Sequence, residues 1–88
     1  MQFRLDIVND KGLHARASAK FVETVERFDA RVMVRRDGME VSGDSIMGLM
    51  MLAASYGTHV EVETSGAEAE EVADALKSLV ANRFGEKS

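Results

Sequence analysis

The chain has 88 residues, enough for one small domain with a single modest core, and we expect residues 1–88 to form that domain. Its lack of cysteine excludes disulfides and thiolate metal sites, and its net charge of −4 argues against a nucleic-acid-binding protein. No apolar run approaches the roughly 20 residues that cross a bilayer, and the N-terminus has no apolar signal-peptide core, so we expect a cytoplasmic protein without membrane insertion.

The first predicted elements are a strand and a helix. Phe3, Leu5 and Ile7 alternate with mostly polar residues, which is the pattern of a strand with one buried face. A polar break that ends in Gly12 follows, and the apolar spacing then becomes helical. We predict a helix over Ala15 to Arg27, whose buried stripe consists of Ser18, Phe21, Val22, Val25 and Phe28.

A hairpin and a short helix are predicted in the middle of the chain. Strands are expected over Arg31 to Arg36 and Met39 to Ser42, because Asp37-Gly38 between them is a strong two-residue hairpin signal. Ser45 is then a suitable N-cap for the apolar run Ile46 to Leu52. That run is also compatible with a buried strand, but only one of its residues is β-branched, which favours a helix.

The last part of the chain predicts one more strand and one more helix. His59 to Thr64 alternates again, so we expect a fourth strand there. A helix is predicted over Ala67 to Arg83. Its apolar stripe consists of Ala69, Val72, Ala73, Leu76, Leu79 and Val80. We expect Phe84 to close the core and Gly85 to Ser88 to be frayed.

The predicted order of elements is β-α-β-β-α-β-α. Short connections and a tight hairpin favour antiparallel pairing over parallel crossovers. We therefore predict an α+β fold, an open-faced sandwich in which a four-stranded antiparallel sheet is covered on one face by three helices.

His14 is the natural candidate for chemistry, since the chain has only one other histidine, His59, and no cysteine. A histidine is partly neutral near pH 7 and then offers a nucleophilic lone pair. At a helix start it would lie beside three backbone N–H groups without helical partners, those of Ala15, Arg16 and Ala17. The Arg16 guanidinium can add charge-assisted hydrogen bonds. These residues together predict a site that holds a phosphoryl group on His14.

Simpler interpretations exist for each of these residues. A histidine near a helix start is most often only a cap or a surface residue, and an arginine in a first turn is most often solvated. Ser45 is, by itself, an ordinary N-cap, and His59 is interpreted as structural or exposed. His14 and His59 do not have the spacing of metal ligands, so we expect neither a metal nor a cofactor.

The short helix after Ser45 has too many apolar residues to bury. If Leu49 and Leu52 face the core, some of its other side chains must be exposed. An exposed patch of adaptable methionines beside His14 is typical of a docking surface. We predict that this patch, called the docking patch below, consists of Ala15, Ala19, Ile46, Met47 and Met50.

Two motifs resemble one known family. Gly12-Leu13-His14-Ala15-Arg16 resembles the active-site signature of the HPr family, the histidine-containing phosphocarriers of the bacterial phosphotransferase system. Ser45-Ile46-Met47-Gly48-Leu49-Met50 resembles the regulatory serine motif of that family. The spacing of the motifs, the length and the order of elements also match, and the resemblance extends from Phe3 to about Val80.

The resemblance implies a carrier rather than an enzyme. His14 would accept, through Nδ1, a phosphoryl group derived from phosphoenolpyruvate from enzyme I and pass it to a IIA protein or domain. An HPr kinase/phosphorylase would phosphorylate Ser45. We expect a monomer that is a substrate of these partners.

Two departures from the family pattern affect these expectations. Ala17 stands where the family usually has proline. Alanine at this position resembles the branch of the family that is tied to the regulatory, nitrogen-related phosphotransferase chain. This resemblance favours a regulatory role over sugar transport. Asp44 stands where many members have lysine before the serine, and its charge would weaken recognition by a serine kinase. Two alternatives also stay open: a small acylphosphatase-like phosphatase with Arg16 as its phosphate anchor, and a regulatory interaction module that acts only through Ser45.

Overall fold

The computed structural model describes residues 1–88 and contains the predicted βαββαβα order. The strands are β1 (Gln2–Asp6), β2 (Arg31–Arg36), β3 (Met39–Ser42) and β4 (His59–Ser65). The helices are α1 (Ala15–Glu26), α2 (Ile46–Met51) and α3 (Ala69–Ala81), followed by a short 3-10 helix (Arg83–Gly85). The prediction that residues 46 onward form a helix rather than a buried strand is confirmed.

The four strands form one antiparallel sheet in the order β1-β4-β2-β3. Val62 of β4 lies opposite Val34 of β2, and both are buried. The β2–β3 hairpin turns through Asp37 and Gly38, whose φ angles of 52° and 80° are those of a type I′ turn. The predicted α+β open-faced sandwich with a four-stranded antiparallel sheet is thus confirmed.

The three helices cover one face of the sheet and share a single hydrophobic core with it. α1 contributes Phe21, Val22 and Val25, as its apolar stripe predicts. α3 contributes Val72, Leu76 and Val80. None of the helices is both long enough and apolar enough to span a membrane.

The C-terminal segment differs from its prediction. α3 ends at Ala81 rather than Arg83, and Phe84 is fully buried, which confirms that it closes the core. The expectation that residues 85–88 are frayed is wrong at Glu86, whose side chain bonds to the loop before α1. The physical reason is that Phe84 anchors the chain end, and the Lys20 ammonium donates a 2.6 Å hydrogen bond to its carbonyl.

Candidate functional site

The loop between β1 and α1 is held in place by a buried asparagine and a glycine. Asn9 is fully buried, and its Nδ2 donates a 2.9 Å hydrogen bond to the carbonyl of Gly12. Gly12 has a φ of +64°, and a Cβ added there would lie 2.4 Å from the carbonyl oxygen of Ala54. That same oxygen accepts a 2.9 Å hydrogen bond from the N–H of Leu13. Only glycine allows this close approach, which delivers the next residues to the start of α1.

His14 is the N-cap residue of α1, and its imidazole remains available. Its backbone is extended (φ −76°, ψ −178°), and its carbonyl accepts a 2.8 Å hydrogen bond from the N–H of Ser18. The side chain makes no capping bond. The imidazole is 28% exposed, so it can reach a ligand or a partner from a rigid position.

The first turn of α1 presents unpaired donors. The backbone N–H groups of Ala15, Arg16 and Ala17 donate to no acceptor in the structure. They point toward the region before the helix, where its dipole favours an anion. The Arg16 side chain is exposed and has no ion-pair partner. Ala15 and Arg16 are exposed, whereas Ala17 is fully buried, so only the first two of these residues lie at the surface beside His14.

The side chain of Glu86 contacts His14, and this contact was not predicted from the sequence. Its Oε2 lies 2.5 Å from His14 Nε2, and its Oε1 accepts a 3.1 Å hydrogen bond from Asn9 Nδ2. The Glu86 side chain is only 15% exposed. No local pattern pointed to this contact, because Glu86 is 72 residues away from His14 in the chain.

The environment of Glu86 keeps it ionised. Partial burial raises the pKa of the Glu86 carboxyl. The hydrogen bonds from His14 and Asn9 and the charges of His14 and Lys11 lower it. Because the lowering effects are larger together, the pKa of Glu86 lies below the ordinary glutamate value. A folded-state pKa below the unfolded one means that these contacts stabilise the fold above the unfolded pKa. That stability is lost as the pH falls through the folded-state pKa.

A basic cleft of about 330 Å³ opens beside His14. Four cationic side chains, those of Lys11, Arg16, Lys20 and Lys87, line it together with the Glu86 carboxylate. Only Arg16 among these cations was predicted; the lysines come from the loop, from α1 and from the C-terminal segment. The local excess of positive charge suits a phosphoryl group, although the whole chain is acidic.

A larger cleft of about 640 Å³ lies at the β2–β3 hairpin, away from His14. Its two arginines are already engaged. Arg35 pairs with Glu40 and Glu63, and Arg36 pairs with Asp37 at 3.2 Å. The cleft therefore offers no free cation of the kind that the smaller basic cleft provides.

Ser45 is the N-cap of α2, as the sequence predicts. Its Oγ accepts a 3.0 Å hydrogen bond from the N–H of Gly48. The neighbouring Asp44 carboxylate accepts a 2.6 Å hydrogen bond from the Ser42 hydroxyl. Ser45 as a whole residue is half-buried.

The apolar residues of α2 divide as expected between core and surface. Leu49 and Leu52 are buried, whereas Ile46, Met47 and Met50 are exposed, with Met47 at 72%. α1 packs against α2, and on α1 Ala15 is exposed and Ala19 half-buried. Two further exposed apolar side chains, Met51 and Tyr56, lie beyond the predicted patch.

His59 has no part in this arrangement. It lies at the start of β4, is exposed, and its Nε2 is 3.6 Å from a carboxylate oxygen of Glu61. No three His, Cys, Asp or Glu side chains in the chain cluster closely enough to hold a metal ion.

Comparison with known proteins gives one consistent result. A family model described as the PTS HPr component phosphorylation site matches residues 1–82. The phosphocarrier protein HPr of Cupriavidus necator is 51% identical over 80 residues, covering 91% of this chain and 90% of that protein. The crystal structure of HPr-C-His from Thermoanaerobacter tengcongensis matches with a TM-score of 0.94 and 38% identity, covering 100% of this chain and 99% of that one. A crystal structure of an HPr dimer from the same organism matches with a TM-score of 0.78 and 40% identity, over 93% of this chain and 94% of that one.

Proposed function

The chain belongs to the HPr family of phosphotransferase-system phosphocarriers, and from that premise we propose that His14 is the residue that carries the phosphoryl group. A phosphocarrier is a substrate of its partners and not itself a catalyst. The observation that carries the assignment is the position of the imidazole, at the N-cap of α1, beside three unpaired N–H groups and the Arg16 guanidinium.

In the proposed reaction, the lone pair of His14 Nδ1 attacks the phosphorus atom carried by enzyme I. The N–H groups of Ala15, Arg16 and Ala17, together with Arg16, bond the phosphoryl oxygens. The P–N bond stays reactive, so the group can leave again to the acceptor, a IIA protein or domain. A dipole interaction of about 0.3–1 kcal/mol at a surface site holds the anion only moderately, which suits a carrier.

The other expectations belong to the same proposal. Residues 1–88 form one domain that acts as a monomer in the cytoplasm. The dimer seen in one Thermoanaerobacter structure is a property of that protein. Sedimentation velocity at micromolar concentration tests the monomer, and a species of twice the mass would contradict it.

An experiment with small molecules separates the carrier from the phosphatase alternative. Incubation with enzyme I and phosphoenolpyruvate is expected to place one acid-labile phosphoryl group on each chain. Incubation with an acyl phosphate alone is expected to release no phosphate at a steady rate. Continuous phosphate release without enzyme I would favour the alternative function, that of a small acylphosphatase-like phosphatase.

We also propose that the docking patch binds the partner proteins, and a charge at Met47 tests this. Met47→Glu is expected to reduce the kcat/KM of phosphorylation by enzyme I about tenfold, because truncation or charging of an interface anchor costs more than about 1 kcal/mol. The melting temperature should change little, since Met47 is 72% exposed.

The matched control for Met47 is Met39→Glu, the same change at an exposed methionine of β3. It should leave both the rate and the stability unchanged. If Met47→Glu instead lowers the melting temperature and the folded protein still transfers normally, Met47 belongs to the core and not to a docking surface.

Phosphorylation of Ser45 by an HPr kinase/phosphorylase is the regulatory part of the proposal. A phosphate oxygen can replace the Ser45 hydroxyl as acceptor of the Gly48 N–H, so the fold should survive. The added charge of about −1.5 to −2 borders the docking patch and must be desolvated on docking. We expect phosphorylation of His14 by enzyme I to become about tenfold slower, with Ser45→Asp as a partial mimic.

The rate of His14 phosphorylation is measured together with circular dichroism, which reports whether the protein is folded. The control variant is Ser78→Asp, because Ser78 is an exposed serine of α3. An unchanged rate in the Ser45-phosphorylated protein would reduce Ser45 to a helix cap. A lost helical signal would refute the argument that the N-cap tolerates the phosphate.

A further inference from the structure

We propose that Arg36 is a positioning residue for partner docking: its hydrogen bond to the carbonyl of Leu52 holds the end of α2 and keeps the docking patch in a fixed position relative to His14. This inference deepens the proposed function and rests on it, because it assumes that enzyme I binds the docking patch. It gives a part in phosphotransfer to the β2–β3 hairpin, which contributes no residue to the basic cleft beside His14.

The end of α2 is poorly stabilised by α2 itself. The helix has only six residues, Ile46–Met51, and helices this short are marginal without tertiary contacts. The last carbonyls of an α-helix have no partners within the helix, and the last turn of α2 has no basic side chain that could bond them. A donor from another part of the chain is therefore needed at this end.

The residue after the C-cap Leu52 adds to this weakness. Ala53 takes a φ of +53°, the left-handed conformation in which helices commonly end with glycine. An alanine in this conformation costs folding free energy, because its Cβ crowds the backbone. Other contacts must therefore hold the chain on its path out of α2.

Arg36 supplies the missing donor. Its Nη1 donates a 3.1 Å hydrogen bond to the carbonyl of Leu52, which accepts no hydrogen bond from the backbone. A hydrogen bond from a charged donor is stronger than one between neutral groups. The same nitrogen lies 3.2 Å from a carboxylate oxygen of Asp37, but the Asp37 side chain is 81% exposed, so this ion pair adds little. The contact of Arg36 with α2 is thus the more important of the two.

The segment that Arg36 holds also reaches the loop that carries His14. Two residues after Leu52, the carbonyl of Ala54 accepts a 2.9 Å hydrogen bond from the N–H of Leu13, the residue before His14. Leu52 and Ala54 are both buried. The bond from Arg36 therefore acts on a segment that continues from the docking patch on one side and contacts the His14 loop on the other.

The test compares the wild type with Arg36→Gln in phosphorylation by enzyme I and phosphoenolpyruvate. We expect the KM for the carrier to rise about fivefold and kcat to stay the same, because a loosened docking patch weakens binding of the ground state and the transition state equally. The N–H groups of Leu52 and Ala53 bond the carbonyls of Leu49 and Met50. They should exchange with deuterium about tenfold faster in the variant.

Three control variants separate the bond to α2 from the effect of charge. Arg36→Lys keeps a cation that can bond a carbonyl at a helix end, so it should recover much of the wild-type KM. Asp37→Asn removes only the surface ion pair, and asparagine tolerates the φ of 52° at this position, so its KM should be that of the wild type. Arg31→Gln removes an exposed cation of β2 and should also leave the KM unchanged.

Two results would overturn the positioning role alone. The first is an unchanged KM in Arg36→Gln that circular dichroism shows to be folded, because Arg36 would then act on local stability only. The second is an equal rise of the KM in Arg31→Gln, because loss of charge and not of the bond would be the cause. A wild-type chain that enzyme I cannot label would refute the proposed function itself, and normal kinetics of Met47→Glu would refute the docking patch and this inference with it.

Discussion

Replacement of His14 by alanine is expected to abolish the acid-labile phosphorylation by enzyme I and phosphoenolpyruvate. The expected loss is complete because His14 carries the only imidazole in the cleft at the start of α1. The backbone donors and Arg16 would remain, but they can only bind a phosphoryl group, not accept it covalently. The measurement is incorporation of radioactive phosphate, with acid and alkaline treatment to identify phosphohistidine.

His59→Ala is the matched control, because it removes the only other histidine, which lies exposed at the start of β4. It should be labelled like the wild type. Labelling of His14→Ala at the wild-type level would refute the assignment of the carrier residue. Because His14 is the N-cap and contacts Glu86, circular dichroism must show that the variant is folded before its lack of labelling is interpreted.

Replacement of Phe84 by alanine is expected to have the largest effect on stability. Phe84 lies within the 3-10 helix and its fully buried ring closes the core, so its replacement removes apolar burial and leaves a cavity. We expect the free energy of unfolding to fall by about 3–5 kcal/mol, a large part of the roughly 5–15 kcal/mol of a typical domain. Phenylalanine and alanine both disfavour the φ of 55° at this position, so the backbone cost is similar in the two proteins. The change in the free energy of unfolding therefore reports the loss of the buried ring.

The consequence at the site distinguishes Phe84 from an ordinary core residue. Two residues later the chain provides the Glu86 carboxylate, and release of the anchor should free it from His14 and Asn9. Urea denaturation gives the stability, and nitrogen-15 NMR of folded Phe84→Ala gives the state of the His14 ring. Tyr56→Ala, at an exposed aromatic residue, is the control. A stability loss below about 1 kcal/mol would contradict the role of Phe84 as an anchor.

Local patterns were sufficient for most of the secondary structure. The bounds of β2 and β3 agree with the prediction because Asp37-Gly38 defines the turn between two alternating segments. α2 was predicted correctly from the N-cap Ser45 and the lack of β-branched residues, although the segment is only six residues long. Such signals depend on neighbours within a few positions, which is why they can be read directly from the chain.

The end of α3 shows where local reasoning fails. The apolar and charged residues up to Arg83 are compatible with a continued helix, but the chain leaves α3 after Ala81. Arg83 and Phe84 take positive φ values of 53° and 55°, which turns the Phe84 ring into the core. Burial of an aromatic ring outweighs the cost of these backbone conformations, and only the assembled core makes that burial available.

The sequence by itself determined the order of elements, the fold class and the candidate nucleophile, because periodicity, turn chemistry and the context of His14 are all local properties. Only the tertiary structure decided what surrounds that nucleophile. Lys20 of α1 lines the cleft beside His14, and Glu86 reaches the imidazole from the C-terminal segment. Charge and hydrogen bonding act over a few ångströms in space, whereas the contact between His14 and Glu86 spans 72 positions in the sequence. The contact of the His14 imidazole with a carboxylate therefore depends on how the C-terminal segment packs and not on the motif around His14.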